Sequence, residues 1–260
     1  MPSGKQSKRR RRAVQAPPPP TRTRRQASPR VLLAAAAVVV LIIVGIVLGV
    51  VFVGGGSGSS SNGPAAKLPD APDVRQLLAG IPQHGDVLGK PSAPLTMIEY
   101  VDLQCPFCQQ FETATMPDVI SRYVRTGKLK VEARVIAILG LDSQTGRLAA
   151  LAAGAQNKQF NFMQLLYDNQ GAENTGWLDD DLVKSAATSI PGLDVNRLLS
   201  ERNSGAIDAK SKALDAEQAR DDVRATPTIF VGKSGSTPKL VKLSSPTDEA
   251  SLFAAINSSS

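Results

Sequence analysis

The chain has 260 residues, enough for one or two domains, and a formal net charge of +7. The first 30 residues contain ten Lys or Arg and no Asp or Glu, which leaves 20 basic against 23 acidic residues in the rest of the chain. The main part of the chain is therefore slightly acidic. This argues against a nucleic-acid-binding domain, because such a domain needs a basic face.

Residues 31–53 form an apolar segment of 23 residues without a charge. As an α-helix this segment would be about 35 Å long, enough to cross the hydrocarbon core of a membrane. A signal peptide has a shorter apolar region of about 7–15 residues followed by a small-residue cleavage site. The length therefore predicts an uncleaved transmembrane helix, with a cleaved signal peptide as the alternative.

The basic tail, residues 1–30, predicts the orientation of this helix. By the positive-inside rule the tail stays in the cytoplasm, so the carboxyl-terminal part lies outside the plasma membrane. The tail can also attract anionic membrane lipid, an interpretation we prefer to nucleic-acid binding. Residues 54–72 are rich in Gly, Ser and Pro and predict a flexible linker. Residues 73–260 are then left to form one domain with a sizeable core.

The first elements of this domain predict a βαβ unit. Residues 95–101 are mostly apolar and predict a buried strand. From Pro106 onward, apolar residues recur three or four apart, which predicts a helix that is kinked at Pro117 and ends at Gly127. Residues 129–135 then alternate between apolar and polar and predict a second strand.

Helical patterns dominate the next part of the chain and predict an inserted helical subdomain at about residues 143–222. Residues 228–231 and 240–243 predict two further strands separated by a turn. A last helix is expected with Ser245 as its cap, Pro246 at its first position and Asp248 in an imperfect capping box.

The chain has two cysteines, Cys105 and Cys108, in the sequence Cys-Pro-Phe-Cys. A pair with this spacing between a strand and a helix indicates dithiol–disulfide exchange. A structural disulfide here would close only a short loop and would remove little unfolded-state entropy. A metal site would have His84 as its third soft ligand at most, one short of a closed zinc site. We therefore expect a redox-active cysteine pair and no metal or other cofactor.

The position of each cysteine predicts its role. Cys105 at the helix start is expected to be an accessible nucleophile, since unpaired N–H groups and the helix dipole stabilise its thiolate. Cys108, one turn later, should be more buried and should resolve the mixed disulfide. Phe107 between them is expected to be exposed and to contact unfolded substrate.

Several segments together resemble the DsbA-like branch of the thioredoxin superfamily over about residues 85–256. The resemblance is carried by residues 89–94, 98–102, 105–108 with Phe111, 159–160, 165–170 and 225–232. It implies an α/β, thioredoxin-like fold with an inserted helical subdomain, and dithiol–disulfide exchange outside the cytoplasm. It also implies partners: exported proteins with cysteines, and a membrane thiol oxidase or quinone-linked reductase.

The resemblance assigns a role to Thr226 and Pro227. It implies a cis proline facing the cysteines, with Thr226 presenting its backbone to an extended substrate; the alternative is an ordinary trans proline that opens a strand. The chain departs from the best-known oxidase of the family at Phe107, where that protein has His. Because Phe carries no charge and donates no hydrogen bond, we expect a weaker oxidant.

Glu99 interrupts the apolar strand at residues 95–101. If buried, it would have a raised pKa and could relay protons from Cys108; if the strand lies at a sheet edge, it would be a partly exposed acid without a role. We expect Asp102 to be a turn residue and His84 to lie on the surface. Tyr167 and Trp177 are expected to pack the helical insertion.

Two other functions remain open from the sequence. One is an exported thiol reductant, which would use the same cysteine pair with electrons flowing in the opposite direction. The other is a noncatalytic chaperone or adaptor that uses the same cleft without redox turnover.

Overall fold

The structure is a computed structural model that describes residues 65–260. The predicted basic tail, the predicted transmembrane segment and most of the predicted linker lie outside these residues. Between residues 65 and 260 there is no helix that combines the length and the apolar character needed to cross a membrane.

The first helix, α1 (Ala71–Leu78), begins two residues before the predicted start of the domain. It buries Val74 and Leu78 against the core. Just before it, the backbone N–H of Leu68 donates to the Ser189 hydroxyl at 2.7 Å. The last residues of the predicted linker therefore belong to the folded domain.

A mixed six-stranded sheet forms the centre of the domain, in the order β1-β2-β4-β3-β5-β6. The strands are β1 (Gln83–His84), β2 (Val87–Leu88), β3 (Leu95–Val101), β4 (Leu129–Val135), β5 (Thr228–Lys233) and β6 (Lys239–Val241). β3 pairs in parallel with β4 and antiparallel with β5. β3 is thus an inner strand, which explains why six of its seven residues are buried.

The predicted βαβ unit is confirmed, and its helix has an irregular backbone. It consists of α2 (Pro106–Gln110), a π-helical turn (Phe111–Thr115), α3 (Met116–Val119) and a second π-helical turn (Ile120–Val124). The irregularity predicted at Pro117 takes the form of the first wide turn, in which the N–H of Met116 bonds to the carbonyl of Phe111. Gly127, at φ +76°, follows the end of the second wide turn.

The predicted helical insertion is confirmed between β4 and β5. Its helices are α4 (Leu141–Gly154), α5 (Gln159–Asp168), α6 (Asp180–Ser189), α7 (Val195–Glu201) and α8 (Gly205–Arg220). Asp179, Asp194 and Ser204 cap the last three of these helices with their side chains. A mixed sheet interrupted by such an insertion is the α/β architecture that the resemblance implies.

Small and aromatic side chains pack the insertion against the sheet. Helix α4 buries an alanine-rich face that lets neighbouring helices approach closely. Tyr167 is fully buried, as expected of a packing residue. Trp177 is half-buried against the core, and its ring covers Gly171.

The last helix, α9 (Glu249–Ser258), begins later than predicted. Asp248 is the N-cap itself and accepts from the backbone N–H of Ser251 at 3.2 Å. Asp248 also accepts from the N–H and the hydroxyl of Ser244, which fixes the carboxylate at this position. Ser245 and Pro246 therefore precede the helix, and the expected cap at Ser245 is wrong, because Asp caps a helix as well as Ser does.

Candidate functional site

The two cysteines lie at the carboxyl end of β3, where the chain turns into α2. Cys105 is the N-cap of α2 with an extended backbone, and Pro106 occupies the first helical position, where a missing N–H costs little. Both cysteines are free thiols in this structure. Cys105 is 4% exposed and Cys108 is 0% exposed, so Cys105 is less accessible than expected. Phe107 is the exposed residue of the motif, at 56%.

The two thiols differ strongly in acidity. The pKa of Cys105 is lowered to about 6, first by a hydrogen bond from the Cys108 thiol and then by the Thr226 side chain and the N–H groups of Cys108 and Phe107, against the effect of burial. The pKa of Cys108 is raised well above its ordinary value, mainly by burial. At neutral pH, Cys105 is therefore a thiolate and Cys108 a thiol.

The Thr226–Pro227 segment covers Cys105, and its peptide bond is cis. In its protonated form the Cys105 thiol donates to the Thr226 carbonyl oxygen at 3.3 Å. Beside it lies an open groove of about 220 Å³, lined by Phe107, Thr226, Pro227, Leu243, Ser245 and Pro246. The structure thus brings together the motif and the Thr-Pro pair that the sequence separates by more than a hundred residues.

Asp102 is a turn residue, as expected, and it also joins the motif to the helical insertion. Its buried carboxylate accepts from the N–H groups of Gln104, Ile138 and Leu139 and from the Ser143 hydroxyl, at 2.7–3.1 Å. Its carbonyl accepts from the N–H of Cys105 at 3.0 Å. One aspartate therefore fixes both the start of the motif and the entry to α4.

Glu99 is fully buried on the inner strand β3, so the edge-strand interpretation is wrong. Neither of its carboxylate oxygens has a hydrogen-bond partner among the described residues. Burial, followed by repulsion from Glu112, raises its pKa well above the ordinary value. Burial without a partner therefore favours the neutral, protonated form of Glu99.

Glu112 is a second buried acid, which the sequence reasoning missed. It lies in the first π-helical turn and is 4% exposed. Burial and repulsion from Asp168 raise its pKa to about 8. The buried hydroxyl of Tyr167 has a raised pKa, first from burial and then from the charges of Cys108, Glu112 and Glu99. Cys108 thus shares its surroundings with two carboxyl groups and a tyrosine. The feature of the sequence that could have indicated this buried acid is its position directly after Phe111, which is itself buried.

The remaining sequence expectations concern the surface. His84 is exposed on β1, as expected of a surface residue. Within residues 65–260, the large apolar residues exposed to solvent besides Phe107 are Ile138, Leu141 and Leu240. Ile138 and Leu141 belong to the segment that Asp102 holds near the motif.

Comparison with known proteins shows the family. A family model described as thioredoxin (Thioredoxin_4) matches residues 83–241, more than half of the chain. The probable disulfide bond formation protein D of Bacillus cereus is 27% identical over 166 residues, which cover 62% of this chain and 76% of that protein. The disulfide bond formation protein D of Bacillus subtilis is 28% identical over 155 residues, covering 56% of this chain and 66% of that protein.

Solved structures agree on the fold. The crystal structure of oxidised BdbD from Bacillus subtilis has a TM-score of 0.60 at 20% identity and covers 69% of this chain and 96% of that chain. Wolbachia pipientis alpha-DsbA1 has a TM-score of 0.57 at 20% identity and covers 70% of this chain and 91% of that chain. The family match and these likenesses confirm the thioredoxin-like fold with its helical insertion. The chain belongs to the Thioredoxin_4 family of thioredoxin-like proteins.

Proposed function

We propose that this chain is an extracytoplasmic thiol–disulfide oxidoreductase that forms or rearranges disulfides in exported proteins through Cys105 and Cys108. The observation that carries the proposal is the difference between the two thiols: Cys105 has a lowered pKa at a helix start, and Cys108 is buried with a raised pKa. The relatives named as disulfide bond formation proteins support the same enzyme class.

The chemistry begins with a disulfide between the two cysteines. A substrate thiolate attacks the Cys105 sulfur, the bond to Cys108 breaks, and Cys108 leaves with the electron pair and takes up a proton. A second substrate thiolate attacks the substrate sulfur of the mixed disulfide, and Cys105 leaves as a thiolate. The substrate loses two electrons, which remain on the two reduced cysteines. The cysteine pair needs no further cofactor for this exchange.

The low pKa of Cys105 favours electron flow from substrate to enzyme. A thiol whose pKa is depressed in the folded state stabilises the reduced protein above the unfolded pKa, and this contribution is lost as pH falls through about 6. At pH 7 this stabilisation of the reduced protein amounts to about 1–2 kcal/mol, which makes the Cys105–Cys108 pair roughly 30 mV more oxidising. Phe107 adds no positive charge to this effect, in line with a moderate oxidant.

The surface around Cys105 suits apolar, extended substrate. The exposed Phe107 ring and the groove beside Pro227 lie on one side of the thiol, and the exposed side chains of Ile138 and Leu141 belong to the segment tied to Asp102. Isolated apolar residues are common on protein surfaces, but a cluster around a reactive group marks a binding surface. Thr226 and Pro227 are proposed to present backbone to such a substrate.

We further propose that Glu99 relays protons for Cys108. When Cys108 leaves the disulfide it must take up a proton, and when it attacks a mixed disulfide in the reverse step it must lose one, both in surroundings without solvent access. Glu99 is buried and unpartnered, and it shares the neighbourhood of Tyr167 with Cys108. An acid of raised pKa in this position can exchange protons with a thiol of raised pKa.

Replacing Glu99 by Gln tests this role. Because the folded pKa of Glu99 is raised, the wild-type protein loses stability as pH rises through that value. We expect equal stability near pH 4, where Glu99 is mostly neutral in both states, and a gain of about 1–3 kcal/mol for the variant at pH 8. Resolution of mixed disulfides by Cys108 should slow about tenfold. Urea unfolding at both pH values and quenched-flow measurement of resolution check the two effects.

Two outcomes would argue against the relay. Equal stability of the Glu99→Gln variant at both pH values would mean that Glu99 is not held neutral. An unchanged rate of resolution would leave Glu99 as a buried structural acid. Glu112→Gln is the comparison variant, since it removes the repulsion that adds to the raised pKa of Glu99 and leaves the Glu99 carboxyl itself in place.

For the location, we propose that residues 31–53 anchor the chain as a single-pass protein of the plasma membrane. The tail at residues 1–30 would then stay in the cytoplasm next to anionic lipid, with the catalytic domain outside. A membrane thiol oxidase or a quinone-linked reductase would accept the electrons from Cys105 and Cys108. Composition supports this proposal, because ten basic residues precede an apolar segment of 23 residues without a charge.

One experiment tests oxidation and location together. The full chain is expressed in bacteria that lack their own extracytoplasmic thiol oxidase, with a reporter enzyme that is active only when its disulfides have formed. We expect the exported reporter to regain activity, whereas the same reporter without its export signal should stay inactive. An inactive exported reporter would contradict the proposal.

The reduction potential then separates the remaining alternatives. An oxidant should have a potential between about −200 and −120 mV, and an exported reductant a value near that of thioredoxin, about −270 mV. A noncatalytic chaperone would leave the reporter enzyme inactive, whatever the reduction potential of its cysteine pair. The lowered pKa of Cys105 is a property that such a chaperone does not need.

A further inference from the structure

Tyr100 lies on β3 directly after Glu99, and its side chain is fully buried on the other face of the sheet. It forms a small cluster with Ile136 and Val223 that is separate from the main core. Its hydroxyl donates to the Asp221 carboxylate at 2.6 Å. A buried hydroxyl needs a partner, and a bond to an ionised carboxylate is stronger than a neutral one.

The charge states of the two partners keep this bond in place. Burial and the bond to Asp221 raise the pKa of Tyr100, so the hydroxyl remains protonated. Partial burial alone would raise the pKa of Asp221, but the hydrogen bonds from Tyr100 and Arg220 lower it. The pair is therefore a neutral donor and an ionised acceptor throughout the physiological range.

Asp221 is the first residue of the connection from α8 to β5. Val223 packs against the Tyr100 cluster, and its N–H and carbonyl both bond to Gln218, at 3.0 and 3.2 Å. The Thr228 hydroxyl donates to the carbonyl of Ala225 at 2.7 Å. Between these fixed points the connection presents Thr226 to the Cys105 sulfur.

Tyr100 holds this connection at both ends. Its side chain bonds to Asp221, where the connection begins, and its backbone lies opposite Thr228, where the connection joins β5. Cys105 follows Tyr100 by only five residues on the same chain segment. The residue that fixes the connection and the thiol that the connection covers are thus parts of one short stretch of chain.

We propose that Tyr100 is a positioning residue for the thiol chemistry, which fixes the 221–228 connection through Asp221 and thereby sets the place of Thr226 beside Cys105. The inference rests on the proposed role of Cys105 as nucleophile. Tyr100 acts at a distance from Cys105, because its hydroxyl lies on the face of the sheet that carries neither Glu99 nor the main core.

The test replaces Tyr100 by Phe in the full chain, which keeps the ring and removes the hydroxyl. Without this bond, Thr226 is held less firmly, and its side chain contributes less to the low pKa of Cys105. We expect the pH midpoint of Cys105 alkylation by iodoacetamide to rise by about half to one pH unit. The equilibrium constant with glutathione should shift about three- to tenfold toward the oxidised protein.

Three further variants separate positioning from stability. Asp221→Asn keeps an acceptor for the Tyr100 hydroxyl and should give at most about a third of the Tyr100→Phe shift. Ile136→Val removes one methyl group from the same cluster without touching the hydrogen bond, so it should lower stability and leave the alkylation midpoint unchanged. Asp221→Ala removes the acceptor from the other side and should reproduce the Tyr100→Phe shift.

The possible results are distinct. If Tyr100→Phe and Asp221→Ala lower stability while the midpoint and the glutathione constant stay at the wild-type values, Tyr100 is a packing residue and the inference fails. If Ile136→Val shifts the midpoint as far as Tyr100→Phe does, the effect belongs to the cluster and not to the hydrogen bond, which also overturns the inference. Failure of the proposed function looks different, because the wild-type chain itself would then show no exchange with glutathione.

Discussion

Replacing Cys105 by Ser will lower the rate of disulfide transfer to a reduced, unfolded test protein by at least about a thousandfold, because the group that forms the mixed disulfide is gone. Cys108→Ala will act differently. It leaves the Cys105 sulfur at its helix start but removes the thiol that resolves the mixed disulfide. This variant should therefore accumulate covalent complexes with substrate proteins, visible as reducible high-mass bands in non-reducing gels.

The double variant Cys105→Ser with Cys108→Ala is the control for both effects. It should form no covalent complexes, and its stability should stay close to that of the reduced wild-type protein. Complexes that accumulate with Cys105→Ser instead of Cys108→Ala would show that the roles of the two cysteines are reversed. Full activity of Cys105→Ser would favour a noncatalytic function.

Alkylation of the reduced protein will separate the two thiols by their acidity. With a pKa of about 6, half of Cys105 is thiolate near pH 6, whereas Cys108 is almost wholly protonated there. We expect iodoacetamide to label Cys105 at least about a hundredfold faster than Cys108. The rate should rise with pH up to a midpoint near 6 and then level off, because the thiolate is the reacting form. Peptide mass spectrometry identifies the labelled residue.

One control variant and the choice of reagent make the alkylation result specific. Cys105→Ser leaves only Cys108, which should react slowly at all pH values below 9 until the protein is unfolded in urea. A small uncharged reagent is needed, since Cys105 has little exposed surface. A midpoint near the ordinary thiol value, about 8.5, would contradict the lowered pKa of Cys105.

Local patterns were enough to predict the elements that carry the motif. β3 and β4 match the predicted residues because one is almost continuously apolar and the other alternates strictly. The short hairpin of β1 and β2 was not predicted, since two-residue strands have no periodic pattern. The cap of α9 was misplaced by three residues because several residues near it can all act as caps.

The parts of the site that the sequence did not predict depend on contacts between residues that are far apart in the chain. The bond between Cys105 and Thr226 joins residues 121 positions apart, and so does the bond between Tyr100 and Asp221. The Thr-Pro pair was placed near the cysteines only through the family resemblance. Glu112 was missed because an acidic side chain in a helix normally faces solvent, whereas the wide turn at Phe111–Thr115 buries two successive residues.

The small exposed fraction of Cys105 sets a limit on when the enzyme can act. Because Thr226 covers the Cys105 sulfur, we expect that a cysteine fixed on the surface of a folded protein does not reach it. A cysteine on a chain that has just emerged from the membrane and has no tertiary structure can do so. Disulfide transfer would then take place before the substrate protein folds. Folded proteins with two neighbouring thiols on their surface would not be oxidised.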